Sequence, residues 1–130
     1  MAIRYEKADD IKKIAEGVVG ILGWKHVDLE NVGFIRSRGS TARRTIARCH
    51  GLGKAMQLGM GRETSFYLIE VISEQFDKMS EEERVKVIIH ELMHIPKTFG
   101  GGFIHHDKVN ERRVKIFYDL YYELRRNENV

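Results

Sequence analysis

The segment His90-Glu91-Leu92-Met93-His94 combines two imidazoles and a carboxylate at a spacing suited to metal chemistry. Residues four apart lie one above the other on a helix, so both histidines can reach one metal ion. Glu91 follows the first histidine, beside the open coordination position, where it can accept a proton from a bound water. The segment predicts a hydrolytic metal site with Glu91 as its base. The alternative interpretation makes both histidines core residues that hydrogen-bond to carbonyl groups.

The residues around this segment predict a helix over 81–95 that carries it in the last turns. Ser80 and Glu83 have the spacing of a capping box, which marks the beginning of a helix. Pro96 disfavours helical geometry at the residue before it and therefore marks the end. The helix is apolar on nearly every side, which predicts that it is buried between other elements.

A catalytic zinc site normally has three protein ligands and one open position, so a third ligand is needed. Four of the six histidines fall between residues 90 and 106. The glycines at 100–102 permit a tight reversal that could bring a later side chain back to the metal. On this reasoning His106 is favoured, His105 is the second candidate and Glu111 the third.

The remaining elements predict an α/β (α+β) chain with the order of a minimal zincin-like domain: N-terminal helix, small mixed sheet, HExxH helix and C-terminal helix. The predicted elements are a helix over 8–22, a strand at 32–35, a strand pair at 45–50 and 54–59, a strand over 66–72, and a last helix from an N-cap at Asp107 to about residue 126. The predicted buried stripe of the last helix comprises Val109, Ile116, Leu120 and Leu124, with Phe117 and Tyr121 flanking it.

Substrate contacts can be predicted only in outline. The strand over 66–72 is expected to bind an extended peptide along its edge through main-chain hydrogen bonds. Candidates for stabilising a developing oxyanion are His105, Tyr118 and Tyr121, although a buried aromatic helix face is the commoner explanation of the tyrosines.

Composition limits the class of protein. The 130 residues, 42% of them hydrophobic, predict one domain over residues 1–130. The only cysteine, Cys49, cannot form an internal disulfide and is predicted to be a buried structural residue. There is no apolar signal-peptide stretch and no apolar run of the ~18 residues that a membrane span needs. A soluble, cytoplasmic protein is therefore expected.

A basic stretch and a Cys-His pair suggest further binding functions. The stretch comprises Arg36, Arg38, Arg43, Arg44 and Arg48 and could contact phosphates, but the net charge is only +3, which favours a solvated loop and strand face over nucleic acid. Cys49 and His50 are poorly placed for one second metal, because adjacent strand residues point to opposite faces.

The segment from His90 to Phe99, followed by Gly101-Gly102 and a histidine, resembles the metallopeptidase family of archaea and phages, which is distantly similar to SprT-like zincins. The stretch from Tyr67 to Lys78 resembles that family's strand before the active-site helix. Arg48 to Leu52, followed by Gln57-Leu58, resembles its preceding strand pair. The resemblance covers residues 45–120 and is strongest over 67–106.

Carried over by position, this resemblance implies that His90, His94 and His106 bind the metal and that Glu91 is the catalytic base. The chain has His105 where the family is expected to have a non-ligand residue, so the choice between His105 and His106 stays open. Asp107 stands where SprT-like members usually have glycine. The closer kinship is therefore with the archaeal and phage group.

The sequence thus predicts a zinc-dependent metallopeptidase that hydrolyses peptide bonds of a peptide or protein substrate. One alternative is a catalytically weak or inactive zincin-fold module that binds DNA or protein. The other alternative is a protease that acts on nucleic-acid-associated proteins; here nucleic acid is a partner that we do not favour.

Overall fold

The computed structural model describes residues 2–128, and within them four strands form one sheet in the order β1-β2-β4-β3. The strands are β1 (Arg4–Lys7), β2 (Val32–Arg38), β3 (Ala47–Gly51) and β4 (Tyr67–Ile72). The two central strands, β2 and β4, are parallel, and each edge strand pairs with its neighbour in the antiparallel direction. The predicted α+β class with a small mixed sheet is confirmed.

Helices pack against this sheet, and β3 lies at one of its edges. They are α1 (Asp9–Leu22), α2 (Lys54–Gly59), α3 (Ser73–Phe76), α4 (Glu81–Met93) and α5 (Glu111–Glu128), with a single 3₁₀ turn at Leu29–Asn31. α4 packs against α1, α5 and β3. None of the helices within residues 2–128 has an apolar stretch long enough to cross a bilayer.

The core lies between one face of the sheet and the helices α1 and α4, with α5 closing the far side. Its largest buried side chains include Ile11 and Val18 of α1, Ile69 and Val71 of β4, and Ile88, Ile89 and Leu92 of α4. Each of these sets follows the period of its own element, close to 3.6 for the helices and 2 for the strand. Burial of both faces of α4 agrees with its nearly continuous apolar sequence.

The prediction of a strand over 54–59 is wrong, because these residues form α2. The Gln57 N–H donates to the Gly53 carbonyl at 2.9 Å, which closes a helical turn. The large apolar side chains of this segment point to solvent, with Met56 63% and Leu58 83% exposed. With no neighbouring strand to cover an apolar face, local hydrogen bonding determines the structure.

The last helix begins later than predicted, and its buried stripe is different. Asn110, not Asp107, is the cap: its Oδ1 accepts a hydrogen bond from the Arg113 N–H at 3.1 Å. The side chains that turn inward are Val114 and Tyr121, together with Val109 before the helix, while Ile116, Leu120 and Leu124 are exposed. Two apolar stripes compete in this sequence, and packing against α1 and α4 selects the one that contains Val114 and Tyr121.

Candidate metal centre

Helix α4 begins and ends near the residues that predict its ends in the sequence. At the beginning, the Ser80 hydroxyl accepts from the Glu83 N–H and the Glu83 carboxylate accepts from the Ser80 N–H, each at 3.2 Å, so the predicted capping box is confirmed. At the end, His94 is the C-cap residue and Pro96 follows two residues later. The segment from His90 to His94 therefore forms the last turn and the C-cap of a largely buried helix.

The chain after Pro96 reverses direction, as the glycines predict. Phe99 has φ 49° and Gly101 has φ 91°, which are left-handed conformations suited to a tight turn. As a result, the Ile104 N–H reaches back to donate to the His94 carbonyl at 2.9 Å. The loop thus returns to the end of α4 just before the two adjacent histidines.

Tyr67 of β4 fastens this loop to the sheet. Its hydroxyl donates to the Gly102 carbonyl at 2.7 Å and accepts from the Gly101 N–H at 2.9 Å. The ring is fully buried and packs edge-on against Phe99 with centroids 4.9 Å apart. The sequence predicts only that Tyr67 belongs to a strand; the available signal for its further role is that a buried tyrosine hydroxyl needs a hydrogen-bond partner.

The reversal brings three imidazoles together. Nitrogen atoms of His90, His94 and His106 all lie within 4.8 Å of one another, so this group could hold a metal ion. Tetrahedral zinc with nitrogen ligands needs N···N separations of about 3.4 Å, which small side-chain rotations would supply. Neither His105 nor Glu111, the second and third candidates, belongs to the group within residues 2–128.

His94 is oriented by its surroundings. Its Nδ1–H donates to the Ile104 carbonyl at 2.5 Å, which leaves Nε2, 4.0 Å from the Glu91 carboxylate, as the nitrogen available for a metal. Phe103 stacks on the His94 ring with centroids 4.3 Å apart, and His94 is only 2% exposed. A carbonyl that accepts from the non-ligating nitrogen is the usual way in which proteins fix a metal-binding imidazole.

Glu91 lies between the two helix histidines. Its carboxylate oxygens are 4.0 Å from His90 Nε2 and 4.0 Å from His94 Nε2, and its side chain is only 8% exposed. Burial raises the pKa of Glu91 to about 7. Burial, followed by the neighbouring imidazoles, lowers the pKa of His90 to about 4, and burial also lowers the pKa of His94. Neutral imidazoles beside a carboxyl group that can exchange a proton near neutral pH are thus available in one site.

A cavity of about 580 Å³, here called the cleft, opens beside His90 and Glu91. Its walls come from the beginning of β3 and the residues before it, from α4 and from α5. The lining residues that the sequence analysis did not select include Ile46, Ala47, Met79, Val87 and Val114. Its charged lining residues are three cations, Arg44, Lys86 and Lys115, and three carboxyl groups, Glu83, Glu91 and Glu111. The cleft can accept a chain of mixed character.

The predicted oxyanion candidates do not line this cleft in the described part of the chain. The Tyr121 hydroxyl accepts from Arg125 at 3.2 Å and approaches Gly17 of α1, so Tyr121 packs between helices. Tyr118 lies under the Lys86 ammonium, 5.1 Å from its ring centroid. His105 packs against Phe103. The common explanation of the tyrosines, a packed aromatic helix face, agrees with these contacts.

Most of the basic stretch is paired with carboxylates. Arg36 binds Asp10 and Asp77, Arg38 binds Glu6, and Arg48 lies 3.7 Å from Glu70. Arg43 and Arg44 are exposed and form no ion pair within residues 2–128. This arrangement agrees with the predicted solvated face.

Cys49 and His50 point to opposite faces of the sheet, as predicted. Cys49 packs against the core, and burial raises the pKa of its thiol to about 12. His50 Nε2 lies 3.0 Å from the Glu70 carboxylate on the other face. The two residues therefore do not share a metal site.

A buried helix that ends in His90-Glu91-Leu92-Met93-His94, with a third histidine returned by the following loop, resembles the HExxH arrangement of metal-dependent hydrolases. Residues 3–125 match the family model described as "Putative phage metallopeptidase", and the chain belongs to this family. Neither the curated proteins nor the solved structures contain a match to this chain. Family membership implies a metal and a peptide or protein substrate.

Proposed function

We propose that this protein is a zinc-dependent metallopeptidase in which His90, His94 and His106 hold Zn²⁺ and Glu91 is the general base. The observation that carries the proposal is the convergence of three imidazoles, two of which lie 4.0 Å from one buried carboxylate. Three nitrogen ligands and one open position are typical of catalytic zinc, whereas structural zinc has all four positions filled by protein. In this proposal the sheet and its helices act as one catalytic domain.

The donor set fits a zinc ion. The lowered pKa values of His90 and His94 favour the neutral, ligating form of each imidazole. The Ile104 carbonyl fixes the ring of His94 so that Nε2 is the free nitrogen. When bound, zinc activates water as a nucleophile near neutral pH and polarises the substrate carbonyl.

Glu91 moves the proton in this mechanism. Its carboxylate lies 4.0 Å from Nε2 of both helix imidazoles, so it would lie beside a metal ion held by these nitrogens. It would accept a proton from the attacking water and deliver it to the departing amine. A pKa raised to about 7 suits both steps, because a group that accepts and then donates a proton works best near the ambient pH.

The substrate strand is proposed to lie along β3. The prediction that the strand over 66–72 offers a free edge for the substrate is wrong, because β4 is a central strand paired on both sides. β3 is the edge strand, it packs on α4, and Ala47 at its beginning lines the cleft. An extended peptide could add to this edge through main-chain hydrogen bonds and place a side chain in the cleft.

The test separates catalysis from metal binding. Zinc content and hydrolysis of an unfolded protein substrate should be measured for the wild type, Glu91→Gln and Glu111→Gln. We expect Glu91→Gln to keep its zinc and lose activity by roughly 10³-fold, because the loss of a general base typically costs 10²–10⁴-fold. Glu111→Gln removes the same charge from the same cleft and should have a much smaller effect. Full activity of zinc-loaded Glu91→Gln would overturn the proposed role of Glu91.

A further inference from the structure

A second cavity, of about 420 Å³, lies where the ends of α1 and α4 meet the beginning of α5. It is called the basic pocket here. Its lining comes from the residues after α1, from the end of α4 and the loop that follows, and from the residues before and within α5. None of the residues that line it lines the cleft, so the two cavities are distinct. Its volume falls in the range of small-molecule sites.

The charge of the basic pocket has one sign. Lys97, Lys108 and Arg113 line it, and no carboxylate among residues 2–128 does. None of these three side chains forms an ion pair with any other residue in the described range. The imidazole of His26 also lines the pocket, and its pKa is lowered by burial and by the charge of Lys97. The cleft, by contrast, has three cations and three carboxylates.

The floor of the basic pocket is apolar and aromatic. Trp24 meets Phe117 edge-to-face, with ring centroids 5.1 Å apart. Leu92 and Ile95 at the end of α4 and Val109 before α5 are buried aliphatic neighbours. A ligand seated here would therefore bury a hydrophobic group against the floor while its polar end meets the surrounding cations.

We propose that the basic pocket binds a small organic anion in which one carboxylate or phosphate is attached to an alkyl chain or a ring. Cations that form no ion pair in the described range and that line the same cavity as an apolar floor match the two ends of such a molecule. Arg113 and the two lysines bind the anionic head, and the aromatic pair packs against the apolar body. This inference concerns a site separate from the proposed zinc centre and does not depend on it.

Trp24 makes the pocket observable, because it is the only tryptophan in the chain. The full-length protein should be titrated with octanoate, octyl phosphate and adenosine monophosphate, with Trp24 fluorescence and calorimetry as readouts. We expect octanoate and octyl phosphate to bind and to shift the fluorescence, with affinity falling roughly fourfold for each methylene removed from the chain. The affinities then show whether the anionic head belongs to a nucleotide or to an alkyl chain: tighter binding of adenosine monophosphate would indicate a nucleotide, and tighter binding of the two alkyl anions would indicate an alkyl carboxylate or phosphate.

Neutral octanol and inorganic phosphate are the ligand controls, and each should bind at least about tenfold more weakly than octyl phosphate. Equal binding of either control would overturn the proposal, because the site would then recognise only an apolar surface or only an anion. Failure of all three organic anions to bind would also overturn it.

Charge variants provide the protein control. The triple variant Lys97→Gln, Lys108→Gln and Arg113→Gln should bind octanoate at least about tenfold more weakly. A matched variant that neutralises Lys12, Lys13 and Lys54, on α1 and α2, should stay within about twofold of the wild type. If the first variant does not fold, raising the salt from about 0.05 to 0.5 M should weaken octanoate binding to the wild type. Octanoate binding that is unchanged by both the triple substitution and the added salt would overturn the proposal.

Discussion

Tyr67→Phe is predicted to weaken zinc binding although Tyr67 is not a proposed ligand. The substitution removes only the hydroxyl, which binds the Gly101 N–H and the Gly102 carbonyl. These glycines belong to the loop that returns the chain from α4 to His106. Without the hydroxyl, the loop loses its attachment to β4, and His106 is held less firmly near the other two imidazoles.

The magnitude follows from the two hydrogen bonds. Each has a net value of about 0.5–1.5 kcal/mol, and both loop glycines can reach water, so a loss of about 1–2 kcal/mol in the free energy of unfolding is expected. For a chain of 130 residues this lowers the melting temperature by about 4–7 °C. Removal of an interaction that supports a ligand typically weakens metal affinity about 10- to 100-fold, and about tenfold is expected here.

The assay is competition for zinc against a chromophoric chelator, combined with thermal unfolding of the metal-free protein. Tyr5→Phe is the matched control, because Tyr5 is 62% exposed and its hydroxyl has no hydrogen bond within residues 2–128. Tyr5→Phe should change neither the zinc affinity nor the melting temperature. If Tyr67→Phe lowers the melting temperature but binds zinc as tightly as the wild type, then the hydroxyl stabilises the fold without positioning His106, and the reasoning is refuted.

Three further predictions concern stability and reactivity. Ser80→Ala should lower the free energy of unfolding by about 1 kcal/mol in urea titrations, because it removes the cap of α4 that binds the Glu83 N–H; an unchanged midpoint would contradict this. In metal-free protein, the lowered pKa of His90 removes stability as pH falls below about 6.5, and the raised pKa of Glu91 adds stability as pH falls below about 7. Urea titrations of metal-free Glu91→Gln should therefore show roughly 2 kcal/mol more loss between pH 6.5 and 4.5 than the wild type, and parallel curves would count against the buried carboxyl. Iodoacetamide should modify Cys49 at least about 100-fold more slowly in the folded protein than in urea, because burial raises its thiol pKa to about 12; similar rates would disprove this burial.

The motif helix could be predicted from sequence because its signals are local. A capping box before α4 and a proline after it lie within a few residues of the helix ends, and the i, i+4 spacing places His90 and His94 on one face. The convergence of His106 with them depends on the loop, whose course is determined by left-handed residues and by Tyr67 on a distant strand. Local patterns cannot give that contact, so His106 and His105 could be ranked only by the glycines and the family resemblance.

The wrong predictions about the other elements also arise from contacts between distant parts of the chain, which local patterns do not give. Residues 54–59 were predicted as the second strand of a pair, but they form a short helix in which Met56 and Leu58 are exposed. In α5, two apolar stripes are present, and contacts with α1 and α4 select the buried one. β1 was not predicted, because all four of its residues are exposed and carry no alternation. Its pairing with β2 makes β1 one edge of the sheet and β3 the other.

The most direct test of the proposed zinc centre is elemental analysis of the wild type, His106→Ala and His105→Ala after incubation with zinc and removal of excess metal. The two variants remove adjacent histidines from the same loop, but only His106 belongs to the group of converging imidazoles. We expect about one zinc per chain in the wild type and in His105→Ala, and a large loss in His106→Ala. No stoichiometric zinc in the wild type, or loss of zinc in His105→Ala with retention in His106→Ala, would contradict the proposed centre.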